Sequence, residues 1–303
     1  MATTEVHIWE AGIKKVLAEK TTSVSIVLVT YNSMPPLESC LESIKAGVNG
    51  TPLEIIGVDN SSSDNSAEMV SKHFPNAQVI RNSSNLGFAA ACNQAAKHAT
   101  GDYLLFLNPD VQVDGYAIEK LLDVFRSREK VGTAVGRMRF PDGSFQPTCR
   151  HLPRFSNMVY SRGSMLSKLI GKNRHYTLPD YDSVTPIPAA AGTMMMIRSD
   201  IFREIGGFDR RFFMFMEDVD LCRRLGSAGY TNYYVPSAGG VHLWGKGSRA
   251  GKLRRNLYHH WTVWKYFTKH SPGFVSYCLL PIALAMNFVV VSILPVPQPV
   301  NRA

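Results

Sequence analysis

Cysteine is scarce in this chain, and its spacing excludes the common metal and redox motifs. The 303-residue sequence has five cysteines, at positions 40, 92, 149, 222 and 278. No two of them are close enough to form the paired spacing of a zinc site or a dithiol motif. An odd, dispersed set indicates free, buried thiols in a reducing compartment. We therefore expect the globular part of the chain to lie in the cytoplasm.

Two further absences concern the first residues and the charge balance. The basic and then apolar pattern of a secretory signal peptide is missing, because charged residues interrupt the start of the chain. We interpret residues 1–22 as a helical extension. Acidic residues are absent from 245–270, a stretch with seven Lys or Arg. Such a run indicates an anionic partner: nucleotide phosphates, nucleic acid or an anionic membrane face.

Charged residues are absent from 271–300, and the stretch 274–294 is almost wholly apolar. A helix of about 20 apolar residues can cross a bilayer. The preceding residues 246–270 mix aromatic side chains with cations, a combination that favours a cytoplasmic membrane interface. Pro281 and Asn287 interrupt the apolar run, which leaves open a helix across the bilayer or an anchor in its surface. A buried core helix is the third possibility.

Strand and helix signals alternate between residues 24 and 136. Short apolar runs, rich in β-branched residues, occur at 24–30, 53–59, 77–81 and 102–107. Such runs suit a parallel sheet that is covered on both faces. The alternation predicts βαβ units, in which ligands gather at the carboxyl ends of the strands. Because polar clusters follow these runs, the sequence predicts a ligand site at that edge of the sheet.

Two adjacent carboxylates, Glu217 and Asp218, stand at the start of an amphipathic helical pattern, just after the turn at 206–209. The helix behind such a carboxylate can hold it rigidly while its oxygens face an open cleft. A general base that deprotonates an alcohol needs this arrangement. Surface charge at a helix N-terminus is the alternative interpretation, since acids there complement the helix dipole.

Other polar residues could serve a metal or a phosphate. Asp110 follows a strand in the sequence Asn-Pro-Asp, where it can hold a divalent cation against a pyrophosphate, although these residues also form ordinary turns. His242 precedes a glycine-rich basic loop that contains Lys246 and Arg249. Its imidazole could complete a metal site and the loop's cations could clamp phosphates, while a structural histidine is the alternative.

Two segments at strand ends suit a nucleotide. Asp59 could accept hydrogen bonds from a base or ribose, or it could be a plain turn residue. In the stretch from Asn85 to Asn93, Gly87 allows close approach of the backbone and the following helix N-terminus attracts phosphate. A small-residue helix that packs tightly on the sheet fits the same pattern.

Six segments, taken in chain order, resemble the family 2 inverting glycosyltransferases, and among them the branch of bacterial rhamnosyltransferases. They are Val-Ser-Ile-Val-Leu-Val-Thr-Tyr-Asn-Ser at 24–33, Val-Asp-Asn-Ser-Ser-Ser-Asp at 58–64, Asn-Leu-Gly-Phe-Ala at 85–89, Leu-Asn-Pro-Asp at 107–110, Gly-Gly-Phe-Asp at 206–209 and Glu-Asp-Val-Asp-Leu-Cys at 217–222. Together they cover about residues 24–245. The resemblance implies an α/β architecture, the GT-A fold, with a Rossmann-like, mostly parallel sheet flanked by helices.

The resemblance also implies roles for single residues. Asp218 would be the catalytic base, and Glu217 would orient the acceptor or the neighbouring backbone. Asp110 would be the metal-binding end of the family's Asp-x-Asp motif for Mn²⁺ or Mg²⁺, and His242 resembles a further metal ligand of some members. Asn108 replaces the first acid of that motif, which leaves one carboxylate for the metal. The predicted nucleotide-sugar-binding residues are Thr30, Tyr31, Asn32, Asp59, Asn85, Gly87, Asn93, Asn108, Lys246 and Arg249.

The implied reaction moves a sugar from a nucleotide-diphosphate donor to a hydroxyl of a lipid-linked saccharide, at the cytoplasmic face of the cell membrane, in cell-surface polysaccharide synthesis. The likeness favours L-rhamnose from dTDP-rhamnose, with UDP-hexoses second. A synthase that loads one sugar onto a polyprenyl phosphate fits the same features. A nucleotide-sugar pyrophosphorylase would need a glycine-rich loop with arginine after the first strand. A non-enzymatic membrane-tethered or nucleic-acid-binding protein has no use for carboxylates at strand ends, so we expect no nucleic-acid partner.

The predicted organisation follows from these assignments. A catalytic domain spans 23–245, preceded by the extension at 1–22. Residues 139–188 lack a regular pattern and carry an excess of Arg and Lys, which indicates a lid or insertion over the cleft. The predicted parts are a nucleotide-binding half (23–136), the lid (139–188), an acceptor half (189–245), a basic loop and interfacial helix (246–270), and an apolar membrane-associating segment and tail (271–303).

Overall fold

The computed structural model describes residues 22–47, 51–155, 177–243 and 251–293. Within these ranges the centre of the fold is a ten-stranded sheet. The predicted N-terminal extension, the middle of the predicted lid, and Lys246 and Arg249 lie outside the described residues.

The first half of the sheet is parallel, as the sequence predicts. Its strands are β1 (Val24–Thr30), β2 (Leu53–Asp59), β3 (Gln78–Arg81) and β4 (Tyr103–Leu107), in the spatial order β3-β2-β1-β4. Both ends of β1 and β2 coincide with the apolar runs in the sequence. β1 is buried along its whole length, and its side chains alternate between two hydrophobic cores: Val27 and Val29 face one, Ile26 and Leu28 the other.

The second half of the sheet is mixed, which corrects the expectation of a mostly parallel sheet. The main strands there are β5 (Val111–Val113), β6 (Val131–Arg139), β11 (Met194–Arg198) and β12 (Thr231–His242), and the sheet continues β4-β11-β6-β12-β5. β11 is antiparallel to β4, with Met194 opposite Leu107. β11 thus begins at the edge where β4 ends, and the two strands run in opposite directions.

Short strands lie within or beside the predicted lid: β7 (Phe145–Gln146), β8 (Cys149–Arg150), β9 (Thr185–Ile187) and β10 (Ala189–Ala190). β7 pairs with β6 and β9 with β12, so parts of this stretch belong to the main sheet. β8 and β10 form a separate pair.

Helices cover both faces of the sheet. They are α1 (Pro36–Ala46), α2 (Ser66–His73), α3 (Phe88–His98), α4 (Ala117–Ser127), α5 (Ser199–Glu204), α6 (Glu217–Ser227), α7 (Lys252–His270) and α8 (Leu280–Ile293), with a π-helical turn at Val275–Leu279. α1 and α4 pack on one face, whereas α3, α6 and part of α7 pack on the other.

α7 belongs to the folded core and is more than a peripheral appendage. Val263, Tyr266 and Phe267 on this helix are buried against the α6 side of the protein. The Arg223 guanidinium of α6 donates to the Tyr266 hydroxyl at 3.2 Å. Among the described residues, no helix is both long and apolar enough to cross a membrane.

Candidate active site

A cavity of about 470 Å³ opens where β1 and β4 end. Eight of the residues predicted from the sequence line it: Tyr31, Asn85, Gly87, Asn108, Asp110, Glu217, Asp218 and His242. They come from five separate segments of the chain, which meet at one edge of the sheet. A second cavity, of about 660 Å³, lies beyond α6 and has no Asp or Glu among its described lining residues.

Three predicted nucleotide-binding residues do not line the cavity and instead hold the loops beside it. The Thr30 hydroxyl donates to Asp59 Oδ1 at 2.9 Å, and the backbone N–H of Ser62 donates to Asp59 Oδ2 at 3.0 Å. Asn32 Oδ1 accepts a hydrogen bond from the Ser63 N–H at 2.7 Å. These bonds tie the loop after β1 to the loop after β2, and so fix the wall in which Tyr31 stands.

Asn93 also lies away from the cavity, and its amide is occupied by backbone. Asn93 Nδ2 donates to the carbonyl of Phe208 at 2.7 Å, and Asn93 Oδ1 accepts from the N–H of Phe208 at 2.9 Å. This pair of bonds fastens the Gly-Gly-Phe-Asp turn to α3. A Cβ on Gly207 would lie 2.6 Å from Asn93 Oδ1, and Gly207 has φ +68°, so a side chain does not fit there.

Asp218 is held at the floor of the cavity by the start of α6. Phe215 and Met216, directly before the helix, both adopt positive φ, at 71° and 68°. This conformation costs roughly 1–3 kcal/mol per non-glycine residue and is concentrated at functional sites. The resulting sharp turn points the first residues of α6 into the cavity. Asp218 Oδ2 accepts the N–H of Gly192 at 3.0 Å, and Oδ1 accepts the N–H of Val219 at 2.7 Å.

Gly87 supports the same loop from the opposite side. Its φ is +85°, and a Cβ at this position would lie 2.4 Å from the Phe213 carbonyl oxygen. That oxygen accepts the N–H of Phe88 at 2.8 Å, and Asn85 Oδ1 accepts the N–H of Gly87 at 2.9 Å. The loop after β3 therefore packs directly against the loop that precedes Glu217 and Asp218, and only glycine allows the close approach.

Glu217 is a buried acid beside Asp218. Burial, and next the charge of Asp218, raise the pKa of Glu217 well above its usual value. Its side chain is 6% exposed, and its Oε2 has no hydrogen-bond partner among the described residues. A raised pKa favours the protonated form of Glu217, whereas Asp218 is held by two backbone N–H groups.

We expect Glu217→Gln to gain stability relative to the native chain as the pH rises. The folded pKa of Glu217 is raised, so from about pH 4.3 upward the unfolded state loses a proton that the folded state keeps, and native stability falls. Glutamine mimics the neutral acid and removes this dependence. Urea unfolding gives the difference in free energy of unfolding between the variant and the native chain. We expect this difference to change by at least about 1 kcal/mol between pH 4.5 and pH 7.5. For Glu129→Gln, at an exposed position, this difference should not change with pH. The same result for Glu217→Gln would contradict a neutral Glu217.

Asp110 and His242 form the pair suited to a metal. Asp110 is buried at the end of β4, and His242 at the end of β12, with 3.3 Å between Asp110 Oδ1 and His242 Nε2. The other ring nitrogen, Nδ1, lies 2.6 Å from Gln146 Oε1. Since this amide oxygen can only accept, Nδ1 carries a proton, and Nε2 is the ring nitrogen that faces Asp110. Such an outer hydrogen bond is typical of a metal-binding histidine, so the residues present fit a divalent cation.

The sequence did not predict Gln146 or the cavity residues of α7. Gln146 lies in a two-residue strand inside a stretch without a regular pattern, so no signal marked it. Four α7 residues line the cavity: Arg254, Arg255, Tyr258 and His259. Their spacing, i, i+1, i+4 and i+5, places them on one helix face. That spacing could have been read from the basic run.

Comparison with known proteins defines the class of this fold and site. Residues 25–206 match the family described as Glycosyl transferase family 2, and residues 149–296 match Glycosyl transferase family group 2. The chain therefore belongs to glycosyl transferase family 2 and is a glycosyltransferase. The resemblance of its six segments to that family is confirmed.

Relatives of known function point to the rhamnosyltransferase branch. The chain is 32% identical over 235 residues to an N-acetylglucosaminyl-diphospho-decaprenol L-rhamnosyltransferase of Mycobacterium tuberculosis, covering 72% of this chain and 75% of the relative. It is 27% identical over 228 residues to the rhamnosyltransferase WbbL of Escherichia coli, covering 72% of this chain and 83% of that one.

Solved structures share the fold. The chain superposes on GalNAc-T7 with UDP, GalNAc and Mn²⁺ with a TM-score of 0.58 at 16% identity, covering 92% of this chain and 59% of that one. The mannosyltransferase PcManGT of Pyrobaculum calidifontis, in complex with GDP-Man and Mn²⁺, gives a TM-score of 0.55 at 17% identity, covering 95% and 81%. The likeness confirms a GT-A-like mixed sheet with flanking helices.

Proposed function

We propose that this glycosyltransferase moves L-rhamnose from a nucleotide-diphosphate donor, dTDP-rhamnose first, to a hydroxyl of a lipid-linked saccharide in cell-surface polysaccharide synthesis. One observation carries the proposal: the buried Asp218 and the Asp110–His242 pair face the same cavity. The names of the two relatives support rhamnose as the sugar and a diphospho-lipid saccharide as the acceptor.

The mechanism that fits this cavity is a single displacement. Asp218 takes the proton of the acceptor hydroxyl as its oxygen attacks the anomeric carbon from the face opposite the nucleotide, so that the configuration inverts. The N–H groups of Gly192 and Val219 hold the Asp218 carboxylate in place for this transfer. Asp110 and His242 would hold Mn²⁺ or Mg²⁺, which when bound supplies positive charge against the leaving diphosphate. Mn²⁺ in the two structures of similar fold supports this assignment.

We also propose that the protein docks on the cytoplasmic face of the cell membrane through α7 and α8. On α8, Ile282, Met286 and Val289 are 61%, 57% and 52% exposed, at a spacing that puts them on one helix face. α7 carries cations and no acid. Exposed apolar faces beside cations favour a helix pair that lies in the surface of an anionic bilayer.

Thermal unfolding with dTDP, UDP, GDP or NAD, each with Mn²⁺, Mg²⁺ or EDTA, tests the donor site. A ligand at about 100 times its Kd stabilises the folded state by roughly 2.7 kcal/mol, enough for a measurable shift in Tm. Metal-dependent stabilisation by dTDP would support dTDP-rhamnose as the donor. Metal-dependent stabilisation by UDP would support a UDP-hexose donor. If no nucleoside diphosphate shifts the Tm, the donor site is wrongly assigned.

Gln146→Leu should lower the apparent affinity for Mn²⁺ about 10–100-fold, because loss of the Nδ1 partner lets the His242 ring turn and change tautomer. The measurement is a Mn²⁺ titration of the Tm at saturating dTDP. Stabilisation by dTDP in EDTA should remain unchanged. The control is Gln78→Leu, which changes an exposed glutamine on β3. If Gln146→Leu lowers the Mn²⁺ affinity no more than this control, the metal binds elsewhere.

A further inference from the structure

The first two turns of α7 bring two guanidinium groups to the cavity. Arg254 and Arg255 line the cavity. Neither guanidinium forms a salt bridge within the described part of the chain, and Arg254 Nε donates to the Tyr258 hydroxyl at 3.0 Å. Lys269, on the last turn of the same helix, differs: its ammonium contacts Asp209 at 2.7 Å and Asp220 at 2.5 Å. The two arginines are therefore available for an anionic ligand.

An apolar stripe runs beside these arginines on the adjacent face of α7. It consists of Leu253, Leu257 and Trp261, which are 61%, 55% and 50% exposed. Their spacing, i, i+4 and i+8, aligns them along the helix. The stripe is not the face that packs on the protein, because that face contains Val263 and Tyr266, both fully buried.

The same helix touches the loop that delivers the base. The Tyr258 ring stacks on Phe213 with 4.6 Å between ring centroids, and His259 meets Phe215 edge-on at 5.7 Å. Both phenylalanines lie within four residues of Glu217. An acceptor whose hydroxyl reaches Asp218 therefore lies beside the first two turns of α7.

We propose that Arg254 and Arg255 bind the diphosphate of a polyprenyl-diphosphate-linked acceptor, and that the Leu253–Leu257–Trp261 stripe guides its first isoprenoid units towards the bilayer. The proposal rests on the function proposed above. Such an acceptor has an anion joined to a sugar on one side and to an apolar chain on the other. Its binding site needs cations between the catalytic cavity and an apolar surface. On α7, the two arginines that line the cavity have the stripe beside them. A donor nucleotide would explain the arginines but not their place directly beside the stripe.

The test compares two acceptors that carry the same saccharide, one as a polyprenyl diphosphate and one as an uncharged alkyl glycoside. For the double variant Arg254→Gln/Arg255→Gln, we expect kcat/KM with the diphosphate acceptor to fall at least about tenfold, since two charge-assisted contacts are lost. The alkyl glycoside should be used as before, and the donor KM should not change. Arg203→Gln, at an exposed position on α5, is the control for the loss of charge.

Other outcomes overturn the proposal in recognisable ways. Equal losses with both acceptors and a raised donor KM would assign the arginines to the donor diphosphate. Unchanged kinetics with both acceptors would remove the arginines from substrate binding. Binding and slow hydrolysis of the nucleotide-sugar by the native chain test the proposed function separately. If the native chain shows neither, the proposed function fails and this proposal fails with it.

The stripe has its own readout. Leu257→Glu places a charge in the path of the lipid, and we expect it to slow transfer to a long polyprenyl diphosphate acceptor severalfold more than to one with a single isoprenoid unit. Equal effects on both chain lengths would exclude contact between the stripe and the lipid.

Discussion

Asp218→Asn is expected to lower the rate of sugar transfer by about 10²–10⁴-fold, the usual contribution of a positioned general base. The amide has nearly the shape of the carboxylate, and its single oxygen can still accept one of the two N–H bonds that Asp218 accepts from Gly192 and Val219. The fold and the donor site should therefore be largely preserved. It cannot take a proton from the acceptor hydroxyl. The rate is measured with the lipid-linked acceptor, and donor binding by the shift in Tm with the nucleoside diphosphate.

A matched exchange at an exposed acid provides the control. Asp142 lies in the turn between β6 and β7, with its carboxylate bonded to Ser144, and Asp142→Asn should leave transfer unchanged. Near-native turnover by Asp218→Asn would exclude Asp218 as the base. Loss of donor binding together with loss of transfer would indicate a role in substrate binding.

Asp220→Asn is expected to lower the free energy of unfolding by about 3–5 kcal/mol, the cost of breaking a buried ion pair by removing one partner. Asp220 is fully buried on α6. Its carboxylate contacts Arg224 Nε at 2.7 Å, Lys269 Nζ at 2.5 Å and His270 Nε2 at 2.6 Å. The variant leaves these groups around a neutral amide. Because Lys269 and His270 end α7, the loss should loosen α7 from α6.

The exposed pair Arg198–Asp200 is the control for this variant. Its side chains are 51% and 57% exposed, so Asp200→Asn should cost less than about 1 kcal/mol. Burial opposes ionisation of Asp220, but hydrogen bonds from His270 and Lys269 hold its pKa below the usual value. Its contribution is thus present above about pH 4 and is lost as the pH falls further. Urea unfolding at pH 7 and pH 3 checks both points; equal costs for the two variants at pH 7 would contradict the coupling.

Several features of this chain were readable from local sequence. β1 and β2 begin and end where continuous apolar runs give way to polar residues, because burial on both faces of a parallel sheet requires such runs. Asp110 and Asp218 were predicted from their places at a strand end and a helix start, and both line the cavity. The family was predicted from six short segments in chain order, and five of them supply residues that line the cavity.

Other features depended on contacts between residues that are distant in the chain. Gln146 and His242 are 96 positions apart, and their hydrogen bond sets the tautomer of the histidine. Asn93 has the position of a phosphate-binding residue, yet the Phe208 backbone, 115 positions away, occupies its amide. The direction of β11 was likewise set by the edge at which the chain enters the sheet.

The sequence by itself thus determined the family, the parallel half of the sheet and the acids of the cavity, because each depends on residue type within a few neighbouring positions. Only the tertiary structure decided which polar groups remain available for a ligand, and that α7, with Arg254 and Arg255, forms a wall of the cavity. The physical reason is that burial and hydrogen-bond satisfaction are properties of surroundings assembled from the whole chain.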